Sequence, residues 1–247
     1  MKSIILAGGY ATRLYPLTLD KPKALLEVKG KPLLRYTLDK LVEVPEIDEV
    51  FIVTNDRFYS LFSEWVSMYG KDYRFKIEVI NDLTTSNETR LGGIGDLEYC
   101  IEARAIQDDI LVLNSDNLFD FSLCDAVDFF SRNRNRRNIV NGVYLLSNRE
   151  EVKRHGVVLL GEDARIIDFE EKPQNPRSSL ISFGVYIIPR DLLPQIKKYL
   201  QEGNNKDAPG HLLKYLSERF ESYGFRFNGR LFDIGNLQVY RRINEMW

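Results

Sequence analysis

Ser3-Ile4-Ile5-Leu6-Ala7-Gly8-Gly9-Tyr10-Ala11-Thr12-Arg13-Leu14-Tyr15-Pro16-Leu17-Thr18, with Lys21-Pro22-Lys23-Ala24-Leu25 just beyond it, runs from a short apolar segment directly into a glycine turn. The branched residues of the first segment suit a strand buried on both faces. Glycines placed immediately after such a strand let backbone N–H groups approach phosphate oxygens with no Cβ in the way. Arg13 offers a planar fork of donors and Lys23 a point charge, a pairing suited to a polyphosphate chain. Taken alone, the stretch reads rather as a β-turn carrying two surface cations. It contains neither GxxxxGK[ST] nor GxGxxG, so the P-loop ATPase and dinucleotide dehydrogenase readings lose their main support.

Outward from this point the chain alternates apolar runs with segments of helical period, the pattern of a parallel sheet covered by helices. Further strands are expected at Val50 to Thr54, Phe75 to Ile80 and Ile110 to Leu113. Helical stripes lie between them: Leu34, Leu38 and Leu41; Phe58, Leu61, Phe62, Trp65 and Tyr69; and Ile94, Leu97 and Ile101. After residue 138 the runs Ile139 to Leu146, Gly156 to Leu160, Arg165 to Glu170 and Leu180 to Ile188 are joined by short polar turns, so a more antiparallel region is expected there. Helices return over Asp191 to Leu200, Leu212 to Phe220 and after Asn236. The expectation is one α/β domain over residues 1–247, with a mostly parallel central sheet flanked by helices. Two subregions are expected within it, residues 1–137 and the smaller residues 138–247.

Composition narrows the function. The 247 residues carry 34 Lys plus Arg against 36 Asp plus Glu, a net charge of -2, so a broad electrostatic grip on nucleic acid is not expected. The one basic cluster, Arg132 to Arg137, reads as a solvated loop after a helix. Two cysteines, Cys100 and Cys124, make neither a disulfide framework nor a CxxC site, which fits a reducing cytoplasm. The start is too short in apolar residues for a signal peptide, and no run approaches the roughly 18 apolar residues of a membrane span, so no membrane partner is expected. His155 and His211 have no Cys or His at metal spacing and read as structural.

The opening stretch resembles the signature of the sugar-phosphate nucleotidyltransferases, LAGGxGTRLxPxTxxxPKxL, with Ala11 standing where glycine is commoner. Four later motifs resemble that family in the same order. Leu91-Gly92-Gly93-Ile94-Gly95 is similar to its base-side glycine turn, and Leu113-Asn114-Ser115-Asp116-Asn117 to its GDN. Phe169-Glu170-Glu171-Lys172-Pro173 is similar to its EEKP, and Phe232-Asp233-Ile234-Gly235 to its WxDxGT region. Ser115 and Asn236 depart from the commoner glycine and threonine.

The resemblance implies attack of a sugar 1-phosphate oxygen on the α-phosphorus of a nucleoside triphosphate, giving a nucleotide sugar and pyrophosphate. Arg13 would hold the triphosphate and its leaving group, Lys23 the phosphates near the reacting centre, and Leu6, Ala7, Gly8, Gly9, Asn81 and Gly92 the nucleotide. Asp116 and Asp233 would hold Mg2+, an ion that needs only one or two protein oxygens; each, taken alone, also fits an aspartate capping a turn. Glu171 would accept hydrogen bonds from sugar hydroxyls and Lys172 would bind the sugar's phosphate. Both cannot point into one pocket from a regular strand, so Lys172 is expected to leave strand geometry before Pro173. Gly156, Asn117 and Tyr186 complete the sugar site, the last two with simple packing as the alternative.

Rival readings are a cytidylyltransferase for a non-sugar phosphate such as phosphocholine, a metal-dependent glycosyltransferase, and a non-catalytic nucleotide-sugar sensor or regulatory protein. The Glu171-Lys172-Pro173 stretch favours a sugar acceptor, and Arg13 with Lys23 speaks against the glycosyltransferase. Asn81 lies where thymidylyl-type relatives carry a base-contacting glutamine, so a pyrimidine is the expected base. The sugar and any homo-oligomer are left open. Because Trp247 follows soon after the Asp233 motif, no left-handed β-helix and no acyltransferase activity are expected.

Overall fold

A computed structural model describes residues 1–133 and 138–247. Its strands in the first half are β1 (Lys2–Leu6), β2 (Glu27–Val28), β3 (Lys31–Pro32), β4 (Glu49–Thr54), β5 (Lys76–Asn81), β6 (Ile110–Asn114) and β7 (Asn117–Phe119). The second half supplies β8 (Ile139–Leu145), β9 (Gly156–Leu160), β10 (Ile166–Glu171), β11 (Leu180–Ile188), β12 (Ser222–Arg226) and β13 (Leu231–Asp233). The helices are α1 (Leu33–Val42), α2 (Asp56–Tyr69), α3 (Gly93–Ala103), α4 (Cys124–Asn133), α5 (Arg149–Val152), α6 (Leu193–Gln201), α7 (Pro209–Ser217) and α8 (Leu237–Met246). No helix among the described residues is long and apolar enough to cross a membrane. Of the basic cluster, Arg132 lies in the last turn of α4, and residues 134–137 lie outside the described residues.

One nine-stranded sheet runs β10-β9-β11-β6-β1-β4-β5, with β8 on the other side of β11 and β12 beyond it. β6, β1, β4 and β5 are parallel neighbours, whereas β11 meets β6, β8 and β9 antiparallel, so the change of texture after residue 138 is a change of strand direction. β1 is the central parallel strand, and its alternation sorts the core. Ile5 faces a layer with Leu34, Leu38, Phe58 and Phe62, while Ile4 and Leu6 face a layer with Ile94, Leu97, Leu212 and Leu216. Phe58 and Phe62 are fully buried on α2, a burial worth roughly 1.5–3 kcal/mol for each ring.

Two features turn this scaffold toward a site. The chain leaves β1 and β6 side by side at their carboxyl ends, Leu6 opposite Asn114, which is where an open α/β sheet offers its crevice. A third apolar cluster, Leu14, Leu26, Val28, Leu33, Leu118, Ile234 and Ile243, packs the glycine-turn segment against the β7–β13 ribbon and α8. That ribbon pairs Asp233 with Asn117, so residues more than a hundred positions apart reach the same end of the sheet.

Candidate active site

The glycine turn is fastened before it can hold anything. Ala7 N donates to Val53 O at 2.8 Å, which prolongs the β1–β4 ladder. Buried Asn55 donates from Nδ2 to Gly8 O at 2.9 Å and accepts Phe58 N on Oδ1 at 3.2 Å, so one side chain pins the turn and caps α2. Ala11 is left-handed, φ 47° and ψ 42°, which explains why glycine is commoner there and costs the alanine about 1 kcal/mol. A cavity of about 190 Å3 opens beside the turn, lined by Leu6, Ala7, Gly9, Lys23, Asn114 and Asp116 among others. Lys23 Nζ pairs with Asp116 Oδ2 at 3.1 Å. Arg13 is exposed at the start of this loop, next to buried Leu14, and lines none of the cavities at this end of the sheet.

The adjoining cavity, about 340 Å3, is lined by Gly8, Gly9, Gly92, Gly93 and Asp96 together with Asp207 to Pro209. The first turns of α3 and α7 both meet here. Their loops are riveted together: Arg90 forks onto Asp207 at 3.0 and 2.7 Å, while Gly93 N and Ile94 N donate to Asp207 O and Lys206 O at 2.9 Å each. Beneath the turn, Asp96 lies so close to Gly8 that a Cβ there would sit 2.5 Å from its Oδ2. Burial, and then the facing Asp82, push the Asp96 carboxyl up to about 8. Asn81 is elsewhere. Its amide donates to Asp56 Oδ1 and accepts Leu83 N, both at 2.8 Å, and it lines none of these cavities.

A third cavity, about 150 Å3, collects Asp116, Asn117, Gly156, Glu171, Lys172, Tyr186 and Asp233. Lys172 leaves the strand as expected, at φ 50°, with its N–H on His155 O at 3.1 Å. Its side chain thereby comes back toward the cavity that Glu171 faces, 3.4 Å from that carboxylate, and reaches the nucleotide cavity as well. Glu171 itself is housed by glycines: a Cβ on Gly210 would collide with its Oε2, and one on Gly156 would lie 3.0 Å from it. Tyr186 is fully enclosed, and burial raises its phenol well above the usual range. Asn117 uses its amide nitrogen on Phe183 O, which assigns that group to the scaffold. His155, expected as structural, lines this cavity, and burial holds its imidazole below the usual value.

Asp116 and Asp233 line the same cavity, and Ile234 N donates to Asp116 O at 3.1 Å, which ties their two segments together. Desolvation, and then the charge of Asp116, raise the Asp233 carboxyl above the usual carboxylate range. Among the described residues no three metal-ligating side chains gather. Two carboxylates lining one cavity fit an ion that takes one or two protein oxygens and leaves the rest of its sphere to water and substrate phosphate, as Mg2+ does.

Among the lining residues that sequence does not single out, two groups stand between cavities. Asp207-Ala208-Pro209-Gly210 begins α7 and walls both the nucleotide and the sugar cavity; its Pro-Gly pair was visible, but the helix was expected to start at Leu212. Asn114 lines all three cavities, and its only sequence signal was its place at the end of a strand beside Asp116.

Comparison with known proteins fits this geometry. The profile of the family described as Nucleotidyl transferase matches residues 2–246. The chain is 32% identical over 237 residues to a mannose-1-phosphate guanylyltransferase catalytic subunit beta of Drosophila pseudoobscura pseudoobscura, covering 95% of this chain and 59% of that protein. It is 29% identical over 188 residues to a UTP–glucose-1-phosphate uridylyltransferase of Haloferax volcanii, covering 75% and 71%. The chain spans 62%, 59% and 52% of the length of three curated relatives that it matches. A solved UDP-glucose pyrophosphorylase complexed with UDP-glucose superposes with a TM-score of 0.80 at 21% identity, covering 99% of this chain and 97% of that one, which shows the shared fold.

Proposed function

The chain belongs to the Nucleotidyl transferase family, and from that membership we propose that it transfers a nucleotidyl group from a nucleoside triphosphate to a sugar 1-phosphate. The observation that carries this reading is the left-handed Lys172, which brings an ammonium and the Glu171 carboxylate to one cavity that adjoins the glycine-walled one. A phosphate and a polyol are then the two ends of the acceptor. An oxygen of its phosphate forms a bond to the α-phosphorus, the bond from that phosphorus to the oxygen bridging the β-phosphorus breaks, and the electron pair leaves with pyrophosphate.

The protein's part is positioning and charge neutralisation. The Gly8–Gly9 backbone and the first turns of α3 and α7 receive the nucleotide, Lys23 approaches the phosphates beside Asp116, and Arg13 serves the departing pyrophosphate from the open side. Asp116 and Asp233 would hold magnesium, which would supply charge neutralisation to the phosphates. Glu171 fixes the sugar ring and Lys172 its phosphate. Residues 1–137 then serve mainly the nucleotide and residues 138–247 mainly the sugar phosphate. Asp116 and the Asp207 to Gly210 turn cross that division. Asn81 gives no ground for a pyrimidine, since its amide is engaged away from the cavities. The relatives named above include a guanylyl- and a uridylyltransferase, so all bases enter the test.

That test is a pyrophosphate-release screen of every nucleoside triphosphate against a panel of sugar 1-phosphates, with phosphocholine as the non-sugar control and magnesium present. The expected result is release with at least one sugar 1-phosphate and none with phosphocholine. Release with phosphocholine alone would point to the cytidylyltransferase reading, and tight nucleotide-sugar binding without release to the sensor.

A further inference from the structure

Asn114 ends β6 on the face of Ile110 and Val112, the layer that α3 and α7 cover. Where that layer stops, the side chain emerges among the three cavities and is the one residue that lines all of them. Around it stand Gly9 and Leu6 of the nucleotide side, Lys172 of the acceptor side and Asp116 with Lys23 of the charged side. The fold makes room for it. Gly184 opposite has φ 87°, at an irregularity in the β11–β8 register, and a Cβ there would collide with Asn114 Nδ2. No protein group claims the carboxamide: among the described residues it makes no hydrogen bond, whereas neighbouring Asn117 is committed to Phe183 O.

We propose that Asn114 is a catalytic residue whose carboxamide Nδ2 donates a hydrogen bond to a non-bridging oxygen of the α-phosphoryl group as it passes between the two substrates. The proposal rests on the nucleotidyl-transfer reading. The junction of the three cavities is the place where a group that leaves one substrate and joins the other has to lie. A donor there strengthens as charge builds on the equatorial oxygens of the transferring phosphoryl group, so it favours the transition state over either ground state. Being neutral, the amide neither gives nor takes a proton, and the reaction needs none, because the attacking phosphate oxygen is already an anion. Lysine or arginine at this point would bind both polyanions tightly in the ground state; an amide does not.

The experiment compares wild type with Asn114→Ala and Asn114→Asp, each shown to be folded by circular dichroism and thermal unfolding. Steady-state kinetics are measured in both directions, nucleotide-sugar synthesis and pyrophosphorolysis, with direct titration of the triphosphate. The expected result for Asn114→Ala is a fall in kcat of about 10²-fold in both directions, because both share one transition state, with each KM and the triphosphate Kd within about threefold. Asn114→Asp, which sets a carboxylate against phosphate, should be slower than the alanine variant. Wild-type kcat in the alanine variant, or a loss confined to the KM of one substrate, would remove the assignment while leaving nucleotidyl transfer intact. A wild-type protein that catalyses neither direction with any substrate pair would overturn the transfer reading, and this proposal with it.

Discussion

Asp96 shows how one side chain can set a pH dependence that has nothing to do with the reacting groups. It is 5% exposed, lies against Gly8 and faces Asp82, whose Oδ1 is already taken by Thr84 N and Oγ1 at 2.7 Å each. Asp96 Oδ1 has no protein partner. An acid raised in the folded state, here to about 8, gives stability that is full below its unfolded value and is lost as pH rises through the folded one. Wild-type stability should therefore decline from about pH 5 to 8 with up to one proton's slope, about 1.4 kcal/mol per pH unit. Asp96→Asn keeps the shape and a donor for Asp82 but cannot ionise, so its advantage over wild type should grow across that window. Urea unfolding at three pH values checks this, and parallel curves for the two proteins would contradict it. Lys172 is the second decisive residue. Lys172→Met deletes the charge and keeps the apolar stem, so kcat/KM for the sugar phosphate should fall by roughly 30-fold to 1,000-fold, far beyond an exposed ion pair. Triphosphate binding without sugar should stay within a few-fold of wild type, and equal damage to both substrates would break the assignment.

At the scale of elements, the join between β4 and α2 couples folding to the site. Asn55 caps α2 and holds Gly8 O, so Asn55→Ala should cost about 1–2 kcal/mol in thermal unfolding and raise the triphosphate KM. Asn55→Ser restores a cap but not the bond to Gly8, so it should recover stability while KM stays high; recovery of both would place the whole effect in the helix. The elements around this join were legible in sequence because each carries its own period. β1, β4, β5 and β6 read as apolar runs, and Leu34, Leu38 and Leu41 read as the buried face of α1. β7, β12 and β13 were not legible: β7 and β13 have only 3 residues each, β12 reads Ser-Tyr-Gly-Phe-Arg with no continuous apolar run, and their pairing is set by distant partners. The start of α7 at Pro209 was missed because its first turn is Pro-Gly-His, without apolar periodicity, although proline suits that position.

For the molecule as a whole, the site residues carried by motifs were legible and those placed by the fold were not. The resemblance indicated Lys23, Asp116, Glu171, Lys172 and Asp233, and the cavities at the carboxyl end of the sheet bring these together. Gly210 was silent and Asn114 was read only as part of the Asp116 motif, since nothing in sequence says that the one must leave room for Glu171 or that three cavities meet at the other. The partners of Asn81, Asp56 Oδ1 and Leu83 N, could not be read from sequence, because a residue's position before a loop does not fix where its amide finds partners. The account reduces to one chemical claim, attack by the acceptor's phosphate oxygen on the α-phosphorus of the triphosphate. With the substrate pair found by the screen, the sugar 1-phosphate is supplied with 18O in its phosphate and both products are weighed by mass spectrometry. All of the label in the nucleotide sugar and none in the pyrophosphate is the predicted result. Label in the pyrophosphate, or a nucleotide sugar without it, would contradict the account.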